Sequence, residues 1–164
     1  LSENQLGGDL FNGNLIHLGE ALKSNNSLIY LNLSGNNITF FEVNPLKSGL
    51  EANQTLTHLD LSSNQIGFFG MAMMMQALQI KRVLTHLDLH SNQIECNNAK
   101  RIKALKTLLQ NCALIELDLS ENQITEEAQP AIKEVEESKP GLQVKVTFSE
   151  FCEKQIESLE EEEL

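Results

Sequence analysis

The sequence predicts an α/β repeat solenoid in which each turn contributes one short strand and one helix. An eleven-residue stretch, LTHLDLHSNQI at Leu84–Ile94, recurs as LIYLNLSGNNI at Leu28–Ile38, LTHLDLSSNQI at Leu56–Ile66 and LIELDLSENQI at Leu114–Ile124. The asparagines near the ends of these copies, Asn36, Asn64, Asn92 and Asn122, stand 28, 28 and 30 residues apart, the length of a strand, a turn and a helix laid side by side. Between the copies, apolar residues recur at helical rather than alternating spacing.

Bulk properties narrow the class. The 164 residues suffice for one domain, and 41% hydrophobic with 21% charged residues is the balance of a soluble globular chain. The longest apolar run, Met71 to Met75, is far too short to span a bilayer, and the start of the chain lacks the basic region and cleavage site of a signal peptide. Three cysteines, Cys96, Cys112 and Cys152, with no metal-type spacing, fit a reducing compartment, so a cytosolic working place is expected. A net charge of -11 opposes binding to a phosphate backbone, which excludes nucleic acid as the expected partner. Fifteen of the 23 acidic residues lie from Glu116 onward. That end is either a solvated surface that keeps the chain soluble or a field that steers a basic partner.

In chain order, Leu1–Leu6 (LSENQL) aligns with Leu33–Ile38, so residues 1–27 read as a partial first repeat and a longer parent chain is expected. Full repeats start at 28, 56, 84 and 114. Each connector is expected to be a helix with one buried face. Leu18 and Leu22, Leu46 and Leu50, Met74 and Leu78, and Ala104 and Leu108 hold the same two offsets before the next strand, and Leu15 joins the first of these faces. Asn25, Asn53 and Asn111 hold the position three before the next leucine. Within the strands, Leu31 and Leu33, Leu59 and Leu61, Leu87 and Leu89, and Leu117 and Leu119 point inward by the period of two. The Asn column, continued back to Asn4, sits where the strand turns away, and its amides can satisfy buried backbone groups in that bend.

Phe40, Phe41, Phe68 and Phe69 are expected to fill the wedge between the strand and helix layers. The methionines Met71, Met73, Met74 and Met75 read as core, with a sticky outer patch as the functional alternative. Cys96 and Cys112 have no base beside them and read as inert packing. The last copy decays: LQVKV at Leu142–Val146 still alternates as a strand, but Ser149 stands where the ladder Asn belongs. Phe151–Glu163 is expected to form a helix that caps the last repeat, so residues 141–164 complete a single domain spanning 1–164. An amphipathic partner-binding helix is the alternative there.

The motif LxxLxLxxNxI followed by a helix resembles the leucine-rich repeat family, and the 28-residue period with a full helix looks like its ribonuclease-inhibitor type. The resemblance implies a curved horseshoe with parallel strands on the concave face and helices on the convex face, a binding function and no enzyme activity. The family's cytosolic members include enzyme inhibitors, nucleotide-binding sensors and effectors that intracellular bacteria inject into host cells. The plain, near-identical copies here look most like the effectors, which would place the chain in a host cytosol.

In such a sheet, equivalent positions become columns. One column reads Tyr30, His58, His86, Glu116; the next reads Asn32, Asp60, Asp88, Asp118, ending at Lys145; a third reads Ser34, Ser62, His90, Ser120. Tyr30 offers an apolar body with a polar tip, and the Asp column can accept hydrogen bonds from a partner's Arg or Lys. The expected protein-binding residues are therefore Tyr30, Asn32, His58, Asp60, His86, Asp88, His90, Glu116 and Asp118. The plain alternative for the Asp column is that these are the family's habitual soluble residues.

His58, His86, Asp60 and Asp88 include metal-ligand types, but a sheet splays side chains in parallel and does not converge them on an ion, so no metal or cofactor is expected. Ser62, His90 and Asp88 imitate a hydrolase trio only on paper, because the sequence has neither a nucleophile turn nor an oxyanion donor to go with them. The expected function is to bind another protein on the concave face, such as an enzyme whose active site the chain covers, with the unbound chain a monomer. The alternative is a substrate-recognition segment of a larger enzyme or sensor, for example a ubiquitin ligase.

Overall fold

The computed structural model describes residues 14–80 and 83–149. The strand-to-helix alternation is present throughout. Helix α1 (Asn14–Ser24) leads to β1 (Tyr30–Asn32), α2 (Phe40–Ala52), β2 (His58–Asp60), α3 (Gly67–Ile80) and β3 (His86–Asp88). A short β4 (Glu95–Cys96) then precedes α4 (Ala99–Asn111), β5 (Glu116–Asp118) and β6 (Gln123–Thr125). A 3-10 turn (Glu126–Ala128), α5 (Gln129–Ser138), β7 (Gln143–Lys145) and β8 (Phe148–Ser149) follow. The strands β1, β2, β3, β5 and β7 form one parallel sheet in sequence order, and β4, β6 and β8 form a second, smaller one that the repeat pattern does not announce.

The core lies between the main sheet and the helices. Leu31, Leu33, Leu59, Leu61, Leu87, Leu89, Leu117 and Leu119 are all buried. They meet Leu46, Leu50, Met71, Met74, Met75 and Leu78 from the helices. Met71, Met74 and Met75 are wholly buried and Met73 partly so, which makes the methionine cluster core rather than an outer patch. Successive helices pack side by side, and α1 and α2 approach closely because Gly19 lies against Gly49 and the Pro45 carbonyl; a Cβ on Gly19 would stand 2.3 Å from that oxygen. Helix α2 starts at a capping box, in which the Thr39 hydroxyl accepts from the Phe41 N–H and the Glu42 carboxylate accepts from the Thr39 N–H.

The asparagine column fastens each strand turn to the next. Asn64 is buried, and its Oδ1 accepts from the N–H groups of Asn36 and Ile38 in the preceding repeat, both at 2.9 Å. Its Nδ2 donates to the carbonyls of Leu33, Leu61 and Ser62. Asn122 repeats the arrangement, accepting from Asn92 and Ile94 and donating to Leu89, Leu119 and Ser120. The residue before each ladder Asn has positive φ: Gly35 at 66°, Ser63 at 54°, Ser91 at 53° and Glu121 at 55°. Three of these four are not glycine, so the turn is held against a conformational cost of about 1 kcal/mol or more at each.

Three expectations are corrected. Phe40, Phe41 and Phe69 do not fill the wedge; they are exposed and only Phe68 is buried, because these residues lie in the first turns of α2 and α3, where helical periodicity turns just one of the four inward. In α4 the buried face is Leu105, Leu108 and Leu109, with Ala104 only partly buried. The 30-residue interval shifts this helix by one position relative to the next strand, so fixed offsets misplace its face. For the same reason Asn111 is the last helical residue, and Cys112 takes the C-cap place that Asn53 holds in α2. Asn53 Nδ2 donates to the carbonyls of Leu22 and Asn25 one repeat back; the equivalent donor to Leu109 and Cys112 is Lys139 Nζ. Cys96 and Cys112 are buried thiols, and burial pushes Cys96 up to about 11, in keeping with inert packing. The partial repeat at Leu1–Leu6, Asn4, Cys152 and the capping helix at Phe151–Glu163 lie outside the described residues.

If the ladder holds the repeats together, Asn64→Ala strands two buried N–H groups and several carbonyls and costs about 2 to 4 kcal/mol, while Gln65→Ala next to it, on the exposed side, costs less than about 0.5 kcal/mol. Urea unfolding of the two variants measures this directly. Equal losses would remove the ladder from the account.

Candidate functional site

The strands of the main sheet are three residues long, and the central leucine of each of β1, β2, β3 and β5 is buried. Its two neighbours are therefore forced to the opposite face. The register aligns them without a slip: Tyr30, His58, His86, Glu116 and Gln143 form one row, and Asn32, Asp60, Asp88, Asp118 and Lys145 the other. Both rows match the columns read from the sequence, Lys145 included; Gln143 is an addition.

Between the rows runs an open groove of about 240 Å³. Tyr30, His58, His86 and Glu116 line one side, and Asp60, Asp88, Asp118 and Lys145 the other. Asn32 belongs to the second row but does not line the groove, and His90 lies outside it, in the turn after β3. Tyr30 is 55% exposed, which leaves its ring available to a partner.

The histidines are held in place by threonines that sequence reasoning passed over. Thr57 Oγ1 lies 2.7 Å from His58 Nδ1, and Thr85 Oγ1 lies 2.9 Å from His86 Nδ1. Each threonine hydroxyl also donates to the carbonyl of the preceding repeat, Ile29 or Thr57. The two imidazoles consequently stack, with centroids 4.0 Å apart and planes 8° from parallel, and Tyr30 stands tilted 6.3 Å from His58. The repeated LTHLD in two copies was the visible signal for this pairing.

The aspartates carry a structural duty. Oδ1 of Asp60, Asp88 and Asp118 accepts from the backbone N–H of Ser62, His90 and Ser120 at 2.8–2.9 Å, and Asn32 Oδ1 does the same for Ser34. These side chains close the turn that follows each strand. The second oxygen of Asp60 accepts from Asn32 Nδ2, whereas among the described residues no hydrogen bond reaches the second oxygen of Asp88 or Asp118. Burial holds the Asp88 carboxyl above its ordinary range, and the flanking charges of Asp60 and Asp118 add to this, against the opposing bond from His90. At the far end, Lys145 bonds to Glu116, which lowers the Glu116 carboxyl and raises the lysine.

Among the described residues no group of three or more His, Cys, Asp or Glu side chains is placed to hold a metal ion. The Ser62 hydroxyl is committed to Asp60 Oδ1 and is not directed at His90. No helix among the described residues is long and apolar enough to cross a membrane.

A family model described as Leucine Rich repeat matches residues 24–39, 52–71 and 110–128. Among solved structures, the chain is similar to one described as Leiomodin-1 Actin-Binding Site 2, with a TM-score of 0.68, 20% identity, and 99% of this chain and 86% of that chain covered. It is also similar to the tropomodulin C-terminal domain from Caenorhabditis elegans, with a TM-score of 0.66, 14% identity, and 84% and 81% covered. No curated protein sequence matches the chain significantly. Together with the alternating strands and helices, these likenesses establish the leucine-rich repeat fold.

Because Asn32 already closes its turn with an amide, Asp88→Asn keeps the acceptor and should leave the fold intact at neutral pH, whereas Asp88→Ala loses about 1 kcal/mol. The sign of the pH dependence follows from the raised carboxyl. A folded-state value above 3.8 means that the native protein binds the proton more tightly, so stability falls as pH rises through that titration. Denaturant unfolding at pH 3 and pH 7 should show Asp88→Asn gaining on the parent only at the higher pH; a gain at pH 3 instead would contradict it.

Proposed function

We propose that this leucine-rich repeat chain is a protein-interaction module that grips a partner on the exposed face of its main sheet. The observation that carries this is the register: four strands present Tyr30, His58 and His86 beside Asp60, Asp88 and Asp118 on one rigid, open surface, while the repeat leucines are consumed in the core. A preformed surface loses little conformational entropy on binding, so a few anchors suffice. Tyr30 and the histidines are the side chains that depart from the plain repeat, and tyrosine is among the residues on which interface energy concentrates.

The groove is open at its top and polar along its sides, a shape suited to a protruding loop or rim rather than to an enclosed small molecule. If the partner is an enzyme, seating its active-site rim here would exclude substrate by steric cover, and the solenoid itself would perform no chemistry. Helices of 11 to 14 residues in the first four connectors support assignment to the ribonuclease-inhibitor-like subclass. The unbound chain is proposed to be a monomer. Buried thiols at Cys96 and Cys112 suit a cytosolic setting.

A second reading has its own observation. The similar leiomodin-1 structure, which spans nearly all of this chain, is described as an actin-binding site, so actin is the first defined partner to test. Cosedimentation with filamentous actin, and gel filtration with monomeric actin, would decide that reading.

The test of the main reading is affinity capture from lysate with the parent chain beside a Tyr30→Ala, His86→Ala, Asp88→Asn variant. A partner held by the parent and weakened by about tenfold or more in the variant is expected, since interface anchors contribute about 1 to 2 kcal/mol or more each. Equal capture by both would move the site off this face.

A further inference from the structure

We infer that Thr57 and Thr85 are positioning residues of the recognition face: they hold His58 and His86 in the Nδ1–H tautomer, so that each ring offers a bare Nε2 to N–H or O–H donors of the partner. The inference rests on the reading of the sheet face as the partner site and specifies which hydrogen bonds that face accepts. Threonine stands in the repeat where histidine follows. The position before the first row reads Ile29, Thr57, Thr85, Ile115: threonine in the two copies that continue with histidine, isoleucine where Tyr30 or Glu116 comes next. Ile29 and Ile115 are 59% and 49% exposed, so the strand forms at this position without a hydroxyl.

One proton decides the tautomer. A threonine hydroxyl has a single hydrogen to donate, and which ring nitrogen of a neutral imidazole carries hydrogen is set by the bonds the ring makes. Thr57 Oγ1 donates to the Ile29 carbonyl at 3.3 Å and Thr85 Oγ1 to the Thr57 carbonyl at 3.2 Å. Each of those carbonyls also accepts from two backbone N–H groups, which accounts for the length of the hydroxyl bond. With its hydrogen on the carbonyl, the hydroxyl oxygen can only accept from the Nδ1 atom 2.7 or 2.9 Å away, so Nδ1 carries the ring hydrogen. The opposite arrangement, a hydroxyl donating to a bare Nδ1, gives up the carbonyl bond and leaves each hydroxyl with one hydrogen bond in place of two. An Nδ1–H imidazole has its lone pair on Nε2. Among the described residues no hydrogen bond reaches Nε2 of His58 or His86, and no buried side-chain N or O atom lacks a partner, so both nitrogens are open to solvent where the rings line the groove. The stack, with centroids 4.0 Å apart, sets the two acceptors side by side. A partner carbonyl or carboxylate placed there meets a lone pair and is disfavoured, whereas a backbone N–H, an amide or a hydroxyl is bound.

Imidazole 15N NMR reads the tautomer directly, because pyrrole-type and pyridine-type ring nitrogens resonate far apart. The labelled 164-residue chain, held at about pH 8, above the ordinary imidazole range, is compared with Thr57→Val, Thr85→Val and the corresponding serine variants. The parent is expected to show a pyrrole-type Nδ1 and a pyridine-type Nε2 at His58 and His86. Each valine, close in shape but unable to bond, is expected to return the ring beside it toward the Nε2–H form that a free imidazole favours, while serine keeps the parent pattern. His17 and His90, which no threonine precedes, should keep their signals in every variant. A protonated Nε2 at either ring of the parent, or a tautomer that survives valine, would overturn the assignment. With a captured partner, Thr57→Val with Thr85→Val is expected to weaken binding about fivefold or more, and the paired serine variant to retain it. Equal capture by the valine pair and the parent would overturn the role in recognition. Equal capture by the parent and the Tyr30→Ala, His86→Ala, Asp88→Asn variant would defeat the broader reading with the tautomers in place; a protonated Nε2 beside a face-dependent partner would defeat this inference alone.

Discussion

The structure depends on one polar contact made again at each turn: a buried asparagine that accepts from the backbone of the preceding repeat and donates to carbonyls on both sides of the bend. A strand that turns sharply after three residues leaves N–H and C=O groups inside the protein with no ladder partner, and each such group left unmet costs more than an ordinary hydrogen bond contributes. Asn64 and Asn122 each satisfy five at once. An aspartate could not donate and an alanine could do neither. The constraint also fixes the pitch, since the acceptor of one repeat must reach the donors of the repeat before it, and it tolerates positive φ at Ser63, Ser91 and Glu121.

The order of the sheet face follows from that constraint. With the bend pinned, the strands stack in register and the rows stay straight. The aspartates at the strand ends then serve the same bend, one oxygen of each closing the turn while the residue lines the groove. Threonines tie each histidine to the backbone of the repeat before it, so the stacked imidazoles inherit the same order. The polar side chains of the face are thereby anchored at their base.

Much of this was legible in the sequence, because period and alternation are geometric. The leucines, the ladder and both rows through Lys145 could be read from spacing alone. What escaped reading arises where contacts, not periods, decide. Phe40, Phe41 and Phe69 are apolar yet exposed, since their place in a helical turn outweighs their hydrophobicity. The two extra residues before Asn122 shifted α4 by one position and moved burial from Ala104 to Leu105. The stand-in of Lys139 for an asparagine could not be foreseen, because it joins a terminal charge to carbonyls 27 and 30 residues back. The structural duty of the aspartates was also hidden: composition shows a carboxylate, but only the bond from His90 shows that one of its oxygens is already engaged.

On the proposed reading, recognition occurs on the sheet face and not on the helices. A photo-reactive phenylalanine analogue placed at Tyr30, and separately at Phe69, measures this in the presence of a captured partner, because both side chains are exposed and lie on different elements. A partner adduct from position 30 and none from position 69 is expected. An adduct from position 69 alone would contradict it and move the interface to the start of α3.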